Sequence, residues 1–198
     1  MQRPTKEQIR ELPLYTGLTL DNIKIIENEQ DAAYALELLS KEACIGFDTE
    51  TKPIFRKGET CPGPTLIQLA TESQGFLFPT RFPEAIACVR AILSDPNITK
   101  AGFGINGDIK ELRNKLNINI VNTHNLSITL KHLSDDKDPI GARAAVAMVL
   151  KQRLGKGSQK SNWGAYPLKP NQILYAANDA HSAICIVKAL DEKGLLRR

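Results

Sequence analysis

Four acidic residues and one tyrosine stand where they could do chemistry. Asp48 and Glu50 close an apolar run, ACIGFDTE over residues 43 to 50, that reads as a buried central strand. Residues i and i+2 of a strand project to one face about 6.6 Å apart along it, so these two carboxylates can share a metal ion. Acids held that close in apolar surroundings resist ionising unless a cation neutralises them. Near the other end, LYAANDAHSAICIVKAL sets Tyr175 and Asp179 one helical turn apart on one face. Asp108 enters the first turn of a helix, GDIKELRNKL. Each signal also has a plain structural reading: a strand surfacing into a polar turn, an aromatic beside a surface acid, an acid favoured by the helix dipole.

The stretch AGFGINGDIKEL, residues 101 to 112, admits a different chemistry. Gly102-x-Gly104-x-x-Gly107 matches the dinucleotide-binding fingerprint and would make a nicotinamide or flavin enzyme. Such a site wants an acid about twenty residues past the glycines to hold the ribose. Residues 117 to 134 contain no Asp or Glu. What survives of the fingerprint is a tight strand-to-helix turn that lets something approach the backbone closely.

The elements that must position these groups follow from periodicity. Strand character is read at 23 to 26, 43 to 50, 65 to 71, 75 to 79, 98 to 105 and 118 to 123. Helical spacing is read at 29 to 41, 82 to 93, 107 to 116, 124 to 133, 139 to 154 and 170 to 193. Pro170 suits a first turn and Gly194 a stop. A hairpin of strands, then β-α-β-α alternation, then helices predicts an α/β fold with a mixed central sheet of about five or six strands and helices on both faces.

The order and separation of three segments then carry a resemblance. IGFDTETKP, GFGINGDIKEL and YAANDA resemble the three motifs of the DEDD superfamily of 3′-to-5′ exonucleases, whose four acids are here Asp48, Glu50, Asp108 and Asp179. FRKGETCPGPTLIQLAT and KSNWGAYPLKPNQILYAANDA look like its ribonuclease D and Werner-syndrome-exonuclease branch, and the resemblance spans roughly residues 20 to 195. Tyr175 and Asp179 satisfy the Y-x-x-x-D of the tyrosine type, whereas the histidine type would place His at Leu174. His181 falls outside either motif and reads as a bystander.

The resemblance implies a ribonuclease H-like fold, two divalent cations, Mg²⁺ or Mn²⁺, and stepwise release of nucleoside 5′-monophosphates from DNA or RNA. It implies that Asp48 bridges the ions, that Glu50 and Asp179 complete one site, that Asp108 holds the second ion, and that Tyr175 orients water or phosphate. The terminal nucleotide is expected beside Thr49, with Asn106 and the turn at 104 to 107 leaving it room. Lys52, Arg56 and Lys57, with Lys156 and Lys160 in the acid-free run KQRLGKGSQK, are candidate phosphate contacts, and Trp163 a candidate base-stacking ring. The competing class is a catalytically silent nucleic-acid-binding module of the same fold.

Bulk properties sit comfortably with this. The chain has 198 residues, 42% hydrophobic and 24% charged, and a formal charge of +4 that permits a nucleic-acid partner. One domain over 1 to 198 is expected, with its core at about 20 to 195 and no helicase or accessory domain. Without an apolar N-terminal stretch or a membrane-length run, a cytoplasmic protein is expected. Four scattered cysteines suggest no zinc site, and Cys44 and Cys185 read as buried thiols.

Overall fold

The structure is a computed structural model and describes residues 1–54, 58, 60–134, 136–155 and 157–196. Six strands form one sheet: β1 (Ile23–Ile25), β2 (Cys44–Thr51), β3 (Pro64–Ala70), β4 (Gly75–Pro79), β5 (Thr99–Gly102) and β6 (Thr123–Asn125). The strand order is β1-β4-β3-β2-β5-β6, with β2-β3-β4 an antiparallel meander and the outer pairs parallel. The mixed sheet expected from the element order is therefore present. Among the described residues no helix is long and apolar enough to cross a membrane.

Strand alternation sorts the helices to two faces. Ile45, Phe47, Ile67, Leu69, Phe76 and Phe78 point into a core closed by α2 (Glu29–Leu39), α3 (Pro83–Leu93) and α4 (Asn106–Leu116). Leu66, Leu77 and Ala70 point the other way, under α7 (Pro170–Glu192). α5 (Leu126–Ser134) and α6 (Ala142–Val149) join α7 on that second face. Because side chains alternate, Gly46, Asp48 and Glu50 lie on the α7 face while Thr49 lies on the α4 face.

α7 crosses β2 at very short range. A Cβ placed on Gly46 would stand 1.9 Å from the Ala180 carbonyl oxygen, so only glycine admits the helix backbone there. The turn after β5 is equally tight: a Cβ on Gly102 would stand 2.5 Å from the Phe47 carbonyl oxygen, and Gly104 has φ +64°. Gly107, by contrast, has open space around it and ordinary φ. The glycine fingerprint thus dissolves into one close approach, one left-handed turn and one glycine that the backbone does not require.

The structure differs from the periodic reading in the sixth strand, at the end of α6 and in one unread helix. The apolar segment at 118 to 123 is not the sixth strand. Ile118 and Ile120 bury their side chains in the α2-α3-α4 core without joining the ladder. Left-handed Asn117 and Asn122 bound that segment, and pairing begins only at Thr123, opposite Lys100. α6 stops at Val149 because Lys151 is left-handed at φ +57°. A short helix, α1 (Lys6–Glu11), was not read at all, since KEQIRE carries no apolar stripe and buries no residue; a Thr5–Gln8 capping box holds it. Among the cysteines, Cys88 is the buried one, whereas Cys44 and Cys185 are half-buried.

Replacing Gly46 by Ala should cost about 2–3 kcal/mol through overpacking of strand against helix backbone. Thermal melts of Gly46→Ala against wild type check this, and an unchanged melting temperature would mean that the contact is soft.

Candidate active site

A cleft of about 1170 Å³ opens where β2 emerges from the sheet beneath α7. Asp48, Glu50, Tyr175 and Asp179 all line it. The strand supplies the first pair two residues beyond the Gly46 crossing, and the helix supplies the second pair one residue before Ala180, so one close contact brings both motifs together. Tyr175 and Asp179 sit one turn apart, and the phenol donates to the carboxylate. Trp163 packs behind Tyr175 with ring centroids 6.1 Å apart.

Asp108 arrives differently. It lies in the first turn of α4, on the opposite face of the sheet, and its Oδ1 accepts the hydroxyl of Thr49. Thr49 also donates its backbone N–H to Asp48 at 2.9 Å. One residue between the two strand acids therefore holds both Asp48 and Asp108. The terminal nucleotide is expected beside the Thr49 backbone; the Thr49 side chain is committed to Asp108.

The acids raise one another's affinity for protons. Withdrawal from water, then the charges of Asp179, Asp108 and Glu50, push Asp48 well above the usual carboxylate range. Burial first, then Asp179 and Asp108, push Glu50 up to about 8. Burial lifts Asp179 to about 7 against the opposing pull of the Tyr175 hydrogen bond and the Arg143 charge. Asp108 is raised by burial, with Thr49 working the other way. Burial and the neighbouring carboxylates also raise Tyr175, which stays a neutral donor at physiological pH.

This donor set fits a hard divalent cation, because every ligand is oxygen and, of the cations lining the cleft, Arg143 is the one whose charge acts on an acid of the set among the described residues. As they stand, no three His, Cys, Asp or Glu side chains among the described residues form a ready ion cage. An open arrangement of carboxylates suits Mg²⁺-type sites, which take only one or two protein carboxylates and leave the rest to water and substrate phosphate.

The remaining expected contacts divide. Trp163 is 3% exposed, packed with Leu66, Leu77 and Leu168, so it cannot offer a face to a base; a lone aromatic in the sequence does not say which way it points. Among the rings that do line the cleft is Phe103, with Gly104 beside it, from the glycine turn. Asn106 is exposed at the start of α4, and Lys160 is exposed; neither lines the cleft. The Lys52 chain lies over Gly164. Arg56, Lys57 and Lys156 lie outside the described residues.

The sequence reading missed Arg143, near the start of α6. It lines the cleft, its charge acts on Asp179, and its Nε is buried without a hydrogen-bond partner. Nothing in ARAAVAMV marks that arginine as other than a solubilising charge. His181, read as a bystander, is not among the residues lining the cleft; its Nε2 donates to the Glu72 carbonyl at 2.9 Å and its Nδ1 accepts from the Tyr15 hydroxyl at 2.8 Å.

A family model described as 3′-5′ exonuclease matches residues 23–194. The chain belongs to the 3′-5′ exonuclease family. Among curated relatives of this family member, the Homo sapiens exonuclease mut-7 homolog is 28% identical over 93% of the chain. The Mus musculus bifunctional 3′-5′ exonuclease/ATP-dependent helicase WRN is 28% identical over 79%. The chain spans only 24% and 11% of those two proteins' lengths. In fold, it is similar to the Aedes aegypti Nibbler EXO domain, with TM-score 0.78 and 22% identity over 89% of this chain and 90% of that one. The catalytic core of RRP6 from Trypanosoma brucei gives TM-score 0.74 and 21% identity over 98% of this chain and 55% of that one. Exonucleases of this family generally use divalent metal ions, in keeping with the acidic cleft.

The raised acids set a pH dependence. Unfolded carboxylates titrate near 4, so the stability contributed by Glu50 and Asp179 is whole below about pH 4 and is lost as pH rises through their folded values, about 8 and about 7. In EDTA the melting temperature should fall between pH 5 and pH 8.5. Mn²⁺ added at pH 8 should restore it in proportion to log concentration, and Asp48→Asn should flatten the slope. Melting indifferent to both pH and Mn²⁺ would contradict this account of the site.

Proposed function

We propose that the chain is a metal-dependent 3′-to-5′ exonuclease that hydrolyses the terminal phosphodiester of a single-stranded DNA or RNA end and releases a nucleoside 5′-monophosphate. The observation that carries the proposal is the convergence of Asp48, Glu50, Tyr175 and Asp179 on one cleft, with Asp108 tied to the same strand through Thr49. A silent module of this fold would have no use for four mutually repelling acids.

Mg²⁺ or Mn²⁺ held by Asp48, Glu50, Asp108 and Asp179 would polarise the scissile phosphate and lower the pKa of an attacking water. The chain's own residues supply the rest. Tyr175, neutral and anchored on Asp179, orients the water or a phosphate oxygen by hydrogen bonding rather than acting as a base. Arg143 places a positive charge beside Asp179, where negative charge gathers during displacement. The wall at Phe103 and Gly104 gives the terminal nucleotide an apolar, sequence-indifferent surface, as stepwise digestion of any sequence requires. A Trypanosoma brucei RNase D of the same fold is described in complex with RNA U12, which supports including RNA among the substrates tested.

Purified protein should shorten 5′-labelled single strands one nucleotide at a time with Mg²⁺ and not with EDTA. Asp48→Ala should abolish the shortening. Tyr175→Phe should slow turnover by about 10²-fold, as for loss of one positioned donor, while Mn²⁺ affinity by calorimetry stays near wild type. Wild-type rates in Asp48→Ala would overturn the proposal, and parallel ladders on DNA and RNA would show which sugar is preferred.

A further inference from the structure

The cleft is larger than one nucleotide needs. At about 1170 Å³ it exceeds the roughly 300–1,000 Å³ of ordinary small-ligand sites. One of its walls comes from residues that no motif includes. Arg3, Lys6, Ile9 and Arg10 line it, all from the N-terminal segment that precedes the family match at residue 23.

That segment is stitched to the domain rather than trailing from it. Met1 donates its terminal N–H to the Leu133 carbonyl at 2.6 Å, and Arg3 pairs with Asp136 at 3.5 Å. Arg153 donates its Nε to the Leu12 carbonyl at 2.8 Å, and its backbone bonds Pro13 and Tyr15. Tyr15 is hydrogen-bonded to His181, and Leu18 exchanges hydrogen bonds with Asn178, the residue before Asp179. The strap is thus held at both ends, and α1 has a fixed place over the cleft.

Within α1 the charges are segregated. Lys6 and Arg10 are i and i+4 and share the cleft face with Ile9, while Glu7 and Glu11 share another. Like charges at i and i+4 destabilise a helix by a few tenths of a kcal/mol, and the i, i+3 neighbours Glu7 and Arg10 form no ion pair among the described residues. Among the described residues neither Lys6 nor Arg10 has an acidic or hydrogen-bonded partner, unlike Arg3 and Arg153. Two unpartnered cations on the cleft face of a helix that buries nothing do no work for the fold, and an anion between them would relieve their repulsion.

We infer that α1 is a phosphate-binding wall, with Lys6 and Arg10 holding backbone phosphates of a single-stranded nucleic acid upstream of the nucleotide at the acidic centre. The ligand chemistry is the phosphodiester itself, common to DNA and RNA. The inference rests on the exonuclease reading for the strand's direction in the cleft. Its geometry comes from the strap alone.

The test measures binding by fluorescence anisotropy in EDTA, so cleavage plays no part, using labelled oligo(dT) and oligo(rU) of about twelve nucleotides and, as a short probe, a labelled dinucleotide. The double variant Lys6→Gln, Arg10→Gln is compared with wild type and with Lys24→Gln, Lys41→Gln, which loses the same charge away from the cleft. The expected result is roughly ten- to thirty-fold weaker binding of both long strands near 0.1 M salt, and a log Kd against log salt slope shallower by about 1.4, or ~0.7 for each lost contact. The dinucleotide should bind as to wild type. An unchanged slope, an equal loss in the Lys24, Lys41 control, or a loss confined to RNA would each overturn the inference. Because α1 buries no residue, melting temperatures should match, and a loss traced to unfolding would count against it. Failure of the exonuclease reading shows separately, as wild type that binds in this way but releases no nucleotide with Mg²⁺.

Discussion

The helix α7 lies directly on strand β2, backbone against backbone at Gly46 and Ala180, and the site depends on that contact. Were any side chain at residue 46, the helix would stand off by the width of a methyl group or more, and Asp179 would move with it. Preorganisation of the acidic centre is therefore a consequence of sheet packing, established by residues that touch no substrate. The same logic governs the β5 turn, where Gly102 lets the chain pass the Phe47 carbonyl and set α4 with Asp108 at the strand's end.

A fold this close-packed can hold an electrostatic arrangement that works against it. Three carboxylates face one cleft and a fourth reaches over from the other face, all with proton affinities raised by burial. The protein answers with one hydroxyl at each flank, Thr49 for Asp108 and Tyr175 for Asp179, and with Arg143, whose charge acts on Asp179. These partners orient the acids without neutralising them, which leaves the negative charge available to cations from solution.

What could be read in the residues follows from which forces leave a local pattern. β2 and α7 were legible because alternation and the i, i+4 rule tie side-chain direction to chain position, which put Asp48 with Glu50 and Tyr175 with Asp179; that the two pairs share one site was implied by the family resemblance. The sixth strand was misplaced because Ile118 and Ile120 have the burial of strand residues without the hydrogen bonds, and periodicity reports only burial. Trp163 could be read only as a candidate for base stacking or as core, because aromatic character is equally suited to both, and it is buried. Arg143 and α1 left no trace, since a cation on a short helix acquires meaning only from what the tertiary fold sets opposite it.

The His181–Tyr15 and Asn178–Leu18 hydrogen bonds bear on where this domain can be divided. Both residues of α7 are partnered by a segment that lies before the family's matched span. Cutting the chain at that span would uncover a histidine and an asparagine on the very helix that presents Asp179, and would strip the cover from Leu18's place in the core. The unit that these hydrogen bonds tie together is thus longer than the span that the family model matches. What lies across this helix, and through it how the acids are approached, is set in this chain by residues outside that span.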